Sequence, residues 1–336
     1  MTKVTYILYK LAIYVATFFV VITVNFILPR LMPGSALAVV ISLIEGQNGV
    51  AATAGSSAIA LEVSQLEAAF GLTPAPWYVQ YAHYIQGIFT LNLGASITYY
   101  PTPVLSIILS GLPWTLFLVV VGAIIAFFLG SYLGSIAGFN RRSRKDLVIL
   151  IITSILAALP SFVILMYLEM WLSVQHGIFL ISFPSKINTS PNSIMALARF
   201  YTLPIIALMF TSLSGFVLGM RNNMLHTIRD NYVTYAEILG LDHNRIRKMV
   251  YKNSLLPNIT AFAIILGLAI SQSLTVEGLL TTPGVGFFFG LALTSKDLPL
   301  LQGIFLFIAI MLILSIAIVE AIYTILDPRA RVSESE

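Results

Sequence analysis

Residues 221–257 read RNNMLHTIRDNYVTYAEILGLDHNRIRKMVYKNSLLP, and this stretch decides how the rest of the chain is interpreted. It lies between two long apolar segments and holds six of the eighteen basic residues of the chain. Lys and Arg accumulate in the cytoplasmic loops of membrane proteins, so we predict a cytoplasmic loop between two membrane spans. Within it, aromatic, apolar and small residues recur at three- and four-residue spacing: Tyr232, Tyr235, Ala236, Leu239 and Gly240. This spacing predicts a helix that presents them on one face, which suits a docking element and an ordinary loop equally.

The overall composition predicts an integral membrane protein. The chain of 336 residues is 58% hydrophobic and only 10% charged, with a mean hydropathy of +0.93. A soluble domain carries roughly 25% charged residues, so this chain has too little polar surface to cover a globule in water. The net charge of +4 comes mainly from Lys and Arg in predicted loops, and it reports topology rather than nucleic-acid binding. The absence of cysteine excludes disulfides, thiolate metal sites and thiol catalysis.

The apolar segments predict an all-α protein with six membrane spans and both termini in the cytoplasm. The spans cover residues 11–28, 113–138, 147–173 (interrupted at Pro160), 201–220, 254–276 and 301–326. Pro113 and Pro257 are expected in the first turn of their helices, where a proline loses no hydrogen bond. In the second span, glycines at every fourth position predict the close approach of another helix: Gly130, Gly134 and Gly138. Fourteen of the eighteen basic residues then lie on the cytoplasmic side, and the inverted topology would violate the positive-inside rule.

The chain outside the core of five spans divides into three further parts. Residues 1–31 carry Lys3, Lys10 and an apolar run that could be a signal peptide, but the run has about the ~20 residues of a spanning helix, so we favour a retained first span. Residues 32–110 form a predicted external segment, with a flexible connection over 46–58, helical periodicity over 61–72 and an aromatic interfacial stretch over 74–89. The predicted core is 111–326, a polar external loop is expected over 174–200, and 327–336 is expected to be a cytoplasmic tail.

The motifs of soluble catalysis are absent from the sequence. It contains no GxxxxGK[ST], no HExxH and no GxSxG, and its four histidines lie far apart. An enzyme that works alone and a metal site are therefore not expected. Charges at membrane depth are few, namely Glu169, Glu277 and Glu320. Glu169 and Glu320 lie near span ends and suit the interface, whereas Glu277 precedes a turn-rich stretch and is a candidate gate or helix-packing residue.

A set of motifs resembles the permease subunits of ATP-binding-cassette importers of the dipeptide/oligopeptide/nickel family, specifically the first of the two permeases, the DppB/OppB type. The motifs span nearly the whole chain and are LPRLMPGSA (28–36), FGLTPAPWYVQYAHYIQGIFTLNLGASITYYPTPV (70–104), LPWTLFL (112–118), LPSF (159–162), RNNMLHTIRDNYVTYAEILGL (221–241), VEGLLTTPGVG (276–286), KDLPLLQG (296–303) and YTILDPRAR (323–331). The chain departs from the family pattern at Ser35, Thr73, Tyr84 and Asn92.

The resemblance implies that residues 221–257 are the EAA loop, whose short coupling helix sits in a cleft of a cytoplasmic ATPase. The EAA triplet falls on Thr234, Tyr235 and Ala236, so only the last residue is literal. The residues implied in ATPase docking are Arg229, Tyr232, Thr234, Tyr235, Ala236, Gly240, Leu241, Arg245, Arg247 and Pro257. Gate or pathway candidates are Glu277, Pro283, Gly284, Pro160 and Ser161, and candidates for facing a binding protein are Gln80, Tyr81, Tyr84 and Asn92.

The resemblance also implies a function and a set of partners. The chain would be a non-catalytic, multi-pass plasma-membrane permease that carries di- or oligopeptides by alternating access, with oligosaccharide or nickel import as the alternative. It would bind no cofactor itself, since ATP and Mg belong to two partner ATPases, and it would assemble with a second homologous permease, an extracellular binding protein and membrane lipid. A stand-alone channel, a secondary carrier and a non-transporting scaffold are the alternatives from other classes.

Overall fold

The computed structural model describes residues 3–31, 75–184, 190–280 and 282–326. In these ranges the regular structure is helical, apart from one isolated bridge between Ala95 and Pro103. The predicted features at 46–58 and 61–72 and the tail at 327–336 lie outside the described residues.

The helices of the described ranges follow one another along the chain as long apolar segments and short connecting ones. They are α1 (Lys3–Ile27), α2 (Trp77–Phe89), α3 (Val104–Phe139), α4 (Arg144–Ala158), α5 (Ser161–Leu168, continued by a π-helix over Glu169–Gln175), α6 (Pro191–Thr227), α7 (Asn231–Ile238), α8 (His243–Leu279), α9 (Val285–Ser295) and α10 (Leu298–Leu326). A 3₁₀ turn, Leu28–Leu31, follows α1.

Five of these helices are long and apolar enough to cross a membrane: α1, α3, α6, α8 and α10. A sixth span is obtained if α4 and α5 with its π-helix count together, since they pass the same test as a pair. This pair bends by 95° at the break between Ala158 and Ser161. The predicted interruption at Pro160 is therefore confirmed, because this proline precedes α5 and cannot continue α4.

Two prolines that were expected to start helices lie in helix interiors instead. The helix α3 begins at Val104 rather than at Pro113, and α8 begins at His243 rather than near Pro257. An interior proline removes one backbone hydrogen bond, but neighbouring helices and side chains satisfy the freed groups in membrane helices. A proline is consequently a poor marker of where such a helix begins.

Two predicted loops are also shorter than expected. The polar loop assigned to 174–200 ends at Ser190, because Ser190 caps α6 by accepting from the Ser193 amide (3.4 Å) and Pro191 occupies the first turn. The loop assigned to 221–257 is mostly helical. The helix α6 continues to Thr227 and α8 begins at His243, so only the middle of that stretch, with α7 inside it, connects the two helices.

The chain divides into two compact units, and the first comprises residues 1–7, 116–276 and 311–336. In it, α6 packs against α4 and α5. The three glycines of α3 lie directly on α6, where an added Cβ would come within 2.5–2.8 Å of Phe216, Val217, Met220 and Met224. The predicted close approach of another helix at these glycines is confirmed, since only glycine leaves room for the α6 backbone there.

The second unit comprises residues 8–115 and 277–310, so it contains most of α1, α2, the start of α3, α9 and the start of α10. Its apolar packing centres on Ile22 of α1, Ile88 of α2 and Leu306 of α10, which are all buried. A buried aspartate, Asp297, accepts hydrogen bonds from the Ser96 hydroxyl, the Thr98 amide (2.9 Å) and the Leu300 amide (3.1 Å). It thereby caps α10 and fixes the loop before α3 to it.

Candidate functional site

The short helix α7 sits between two long apolar helices and is held by tight turns. Its last turn closes at Gly240, whose φ of 72° lies in the left-handed region that favours glycine. The Leu241 amide donates to the Ala236 carbonyl (3.1 Å), which ends the helix. Asp242 then starts α8 by accepting from the Asn244 amide (3.1 Å). An added Cβ on Gly240 would meet no atom within 4 Å, so the backbone conformation alone requires the glycine.

The inner side of α7 is a small apolar contact. Val233 and Ala236 are buried in one cluster with Met220, Met224, Ile246 and Val250 of the two flanking helices. Tyr232 and Leu241 are partly buried at its edge. The Tyr232 hydroxyl accepts from the Asn253 amide group (2.8 Å). This short helix therefore rests on the ends of α6 and α8 mainly through side-chain packing.

The outer side of α7 exposes large apolar side chains. Tyr235, Ile238 and Leu239 are 66%, 75% and 77% exposed. Thr234 is exposed as well, and so are Arg229 before the helix and Arg245 after it. The prediction of one common face is wrong. The buried positions of α7 are Val233 and Ala236, so Ala236 points inward while Tyr235 and Leu239 lie outward. Of the other predicted docking residues, Arg247 is partly buried on α8 and Pro257 is exposed far along it.

A partly buried ion pair lies close to the base of α7, the apolar contact just described, and the sequence motifs did not single it out. Arg221 of α6 donates to both carboxylate oxygens of Asp146, from Nε at 2.7 Å and from the terminal nitrogen at 2.9 Å. The Arg142 amide adds a third bond to the same carboxylate (3.0 Å). Ser143 caps α4 by accepting from the Asp146 amide. The spacing Ser-x-x-Asp is the sequence signal for this cap. The pair fixes the start of α4 to the last part of α6, next to Met220 and one turn before Met224.

The structure brings three of the gate or pathway candidates together. Glu277 is fully buried and its Oε2 accepts from the Thr115 hydroxyl and from the Gly286 amide, both at 2.8 Å. The turn at Pro283 and Gly284 packs against it, since a Cβ on Gly284 would collide with this carboxylate. Its other oxygen has no hydrogen-bond partner among the described residues. Glu277 therefore ties the end of α8 to the start of α9 and to α3.

The other two gate candidates mark the bend between α4 and α5. Pro160 is exposed and its carbonyl starts α5 by accepting from the Val163 amide (3.0 Å), while Ser161 is buried in the first turn. The charge predicted at the span end, Glu169, begins the π-helix, and Glu320 lies on α10.

The candidates for facing a binding protein lie on and just after α2. Tyr81 and Tyr84 are partly buried against α1, with the Tyr81 hydroxyl 2.6 Å from that of Thr23 and the Tyr84 hydroxyl accepting from Asn25 (2.8 Å). Burial raises the pKa of the Tyr84 phenol, and the bond from Asn25 acts in the opposite direction. Asn92 is exposed and accepts from the Gly94 amide (3.3 Å).

Gln80 connects α2 to the guanidinium of Arg30. It accepts from the guanidinium of Arg30 (3.2 Å) and donates to the Ala75 carbonyl (2.8 Å). Burial lowers the pKa of Arg30, while the nearby Tyr84 phenol raises it. The residues Gln80, Tyr84 and Asn92 line one polar cavity together with Arg30.

Comparison with known proteins places this arrangement in a family. The model of the binding-protein-dependent transport system inner membrane component matches residues 130–332. The oligopeptide transport system permease protein AppB of Bacillus subtilis (strain 168) is 31% identical over 255 residues, which are 76% of this chain and 80% of that protein. The dipeptide transport system permease protein DppB of Lactococcus lactis subsp. cremoris (strain MG1363) is 26% identical over 98% of this chain and 99% of its own.

A third relative carries a different name. The nickel import system permease protein NikB of Staphylococcus aureus (strain bovine RF122 / ET3-1) is 25% identical over 96% of this chain and 91% of its own. The family match covers more than half of the chain, and the relatives extend it to nearly the full length. This chain therefore belongs to the binding-protein-dependent transport system inner membrane components, the non-catalytic, multi-pass permease subunits of ABC importers in the peptide and nickel group.

Proposed function

We propose that this chain forms half of the translocation pathway of an ATP-driven importer of di- or oligopeptides, and that it docks a cytoplasmic ATPase through α7. The observation that carries the proposal is the outer side of α7, where Tyr235, Ile238 and Leu239 stay exposed on a helix too short to enter a membrane. Exposed clusters of large apolar side chains are typical of protein interaction sites. Because this eight-residue helix connects two membrane helices, it is well placed to pass a movement of the ATPase to both of them.

The docking surface combines apolar and basic groups. The three exposed apolar side chains would fill a cleft in the ATPase, and Thr234 lies beside them. Arg229 and Arg245 would meet acidic residues at the rim of that cleft, with Arg247 partly buried behind them. Tyr232, Ala236 and Leu241 support the helix from beneath, and Gly240 provides the turn. Pro257 lies on α8 well away from this surface in sequence, so we assign it no docking contact.

Alternating access supplies the mechanism. Closure of two ATPases on ATP and Mg would pull on α7 and on the matching helix of a second, homologous permease, and so bias the spans between outward- and inward-open states. A binding protein would deliver the solute to the opposite face. The tie between Glu277 and the turn at Gly284 would hold α8 and α9 in register during this motion. The bend at Pro160 gives α4 and α5 separate directions.

The proposed sidedness puts α7 and both termini in the cytoplasm and α2 outside. The distribution of Lys and Arg supports it. Because the chain has no cysteine, single cysteines can be introduced without background. In intact cells a membrane-impermeant maleimide should label Ala82→Cys on the exposed side of α2, and it should label Asn244→Cys beside α7 only after permeabilisation. The reverse labelling would overturn the sidedness.

Peptides are the proposed substrate because the relative at 31% identity is named as an oligopeptide permease and two further relatives as dipeptide permeases. Nickel import is the second candidate, since relatives at 25% identity over 96% of the chain are named as nickel import permeases. Uptake assays with labelled dipeptides and with ⁶³Ni in cells lacking this chain distinguish the two.

The test of docking uses the complex purified through a tag on this chain and reconstituted in vesicles. Ile238→Asp places a charge on the exposed side of α7, where it does not disturb the buried cluster. We expect loss of the co-purified ATPase and of ATP-driven uptake, while Ile238→Val retains both. Unchanged uptake with Ile238→Asp would refute the docking surface, and uptake by this chain alone without ATP would favour a stand-alone carrier.

A further inference from the structure

The second unit contains a cavity of about 490 Å³ at the junction of three helices. It is formed by the turn after α1, by α2 with the residues that follow it, and by the first turns of α10. Its lining residues are mostly polar: Arg30, Gln80, His83, Tyr84, Gln86, Gly87, Thr90, Asn92, Leu93, Gly94, Pro299, Gln302 and Gly303. The volume falls in the range of small-molecule sites and exceeds that of a single side chain.

The lining favours an anion. Among the residues that the structure describes, the lining contains one cation, Arg30, one imidazole, His83, and several amides, but no carboxylate. The guanidinium lies 3.6 Å from the centroid of the Phe26 ring and donates to the Phe26 carbonyl (2.8 Å) and to Gln80. These bonds engage only part of its five N–H donors, and in the described residues it has no acidic partner. A planar guanidinium with free donors is well suited to a phosphate or carboxylate.

The position of the cavity along α1 places it at the membrane boundary. The apolar part of α1, Leu8–Ile27, has 20 residues. At 1.5 Å per residue this length spans about 30 Å, the thickness of the hydrocarbon core. Arg30 follows three residues later and so lies at the level of the lipid headgroups. Trp77 and Tyr78 at the start of α2 are strongly exposed, as expected for aromatic residues at that level.

Apolar side chains are also exposed along the membrane part of α1, which ends three residues before Arg30. Below Arg30, the side chains of Val20, Val24, Ile27 and Leu28 are exposed on α1. Only 17% of the apolar window of α1 is buried within this chain. A ligand that combines a phosphate with acyl chains would therefore find a cation in the cavity and an apolar path along the adjoining helix.

We propose that this cavity binds the phosphate of a phospholipid headgroup, with the acyl chains along α1. Arg30 pairs with the phosphate, while His83 and Gln302 donate to the phosphate or glycerol oxygens. Anionic phosphatidylglycerol binds more tightly than phosphatidylcholine, because the described residues of the lining include a cation and no carboxylate for a quaternary ammonium group. The site would hold α1, α2 and α10 together at one membrane surface, whichever solute the importer carries.

The test measures lipid binding to the intact, delipidated complex by native mass spectrometry. Phosphatidylglycerol, phosphatidylcholine and inorganic phosphate are the probes. Arg30→Gln should weaken phosphatidylglycerol binding roughly tenfold, which is the loss of affinity expected when one charge-assisted hydrogen bond is removed. His83→Ala should weaken it by a smaller factor, and this exposed substitution on α2 leaves the packing intact. Lys296→Gln is the control, since it removes the same charge outside the lining.

Three results would overturn the proposal. Equal affinity of the Arg30→Gln, His83→Ala and Lys296→Gln complexes would show that the cavity does not hold the lipid. Binding of inorganic phosphate as strong as that of phosphatidylglycerol would identify a site for free phosphate. Loss of the binding protein from the Arg30→Gln complex with unchanged lipid affinity would show that the cavity receives a protein carboxylate instead.

Discussion

The two short helices α2 and α7 both rest on longer helices, but they are anchored differently. The hydroxyls of Tyr81 and Tyr84 join α2 to Thr23 and Asn25 of α1 by hydrogen bonds. Their rings also pack against Phe26, with centroids 5.1 and 5.6 Å away. The inner contact of α7 is mainly a small apolar cluster around Val233 and Ala236, together with the hydrogen bond from Asn253 to the Tyr232 hydroxyl.

The difference fits different tasks. Hydrogen bonds are directional and fix both register and orientation, whereas apolar packing tolerates small shifts as long as water stays excluded. The helix α2 is therefore expected to move with α1 as one piece. The helix α7 is expected to adjust on its base when a partner pulls on its exposed side. Substitutions in the two contacts should separate these behaviours.

The largest effect is expected from Ala236→Asp in the base of α7. The carboxylate would be buried among Met220, Met224 and Val250 without a cation, at a cost of about 3 kcal/mol or more. We expect α7 to detach from its base and ATP-driven uptake to be lost. The measurements are vesicle uptake and protease sensitivity of the stretch around α7.

The control for this substitution is Asn231→Asp, which adds the same carboxylate at the exposed first position of α7. An acidic residue at a helix N-terminus is tolerated or favourable, so uptake should persist. If Ala236→Asp left uptake and protease resistance unchanged, the apolar cluster would not support the helix.

The sequence alone was sufficient for the membrane class, the glycine contacts and the existence of a helix in 221–257. Hydropathy and glycine spacing are local patterns, and each has a direct physical cause. The sequence did not reveal which side of α7 is buried. Either of the neighbours Tyr235 and Ala236 has a side chain that could pack in an apolar contact. Only the positions of Met220 and Ile246 on other helices decide that the alanine points inward.

The polar contacts between residues distant in the chain could not be predicted from the sequence either. Asp146 and its partner Arg221 lie 75 residues apart in the chain. Arg30 and Gln80, which are joined by a hydrogen bond, lie 50 residues apart. Long-range pairs of this kind depend on tertiary packing, which periodicity does not encode. The helix starts predicted at Pro113 and Pro257 were wrong for another reason, because membrane helices tolerate proline in their interior.

An intermediate effect is expected from Gly240→Ala at the end of α7. An alanine with φ near 72° costs about 1–2 kcal/mol, so the turn should relax and shift α7 on its base. We expect uptake per ATP hydrolysed to fall while the complex stays assembled. Gly177→Ala is the matched control, because Gly177 also has a positive φ (63°) and open space around it but lies far from α7 in the chain. An equal fall in both variants would indicate general strain rather than a role of this turn.

The smallest effect is expected from Tyr84→Phe in the contact of α2 with α1. The substitution removes the acceptor for Asn25 but leaves the ring against Phe26, and the Asn25 amide group keeps its second bond to the Gln302 carbonyl (2.9 Å). We expect a loss of about 0.5–1 kcal/mol, seen as a slightly lower melting temperature of the purified complex, with uptake per ATP unchanged. Tyr78→Phe, at an exposed position of the same helix, should not change the melting temperature. A fall in coupling with Tyr84→Phe comparable to that of Gly240→Ala would contradict the distinction between a fixed α2 and an adjustable α7.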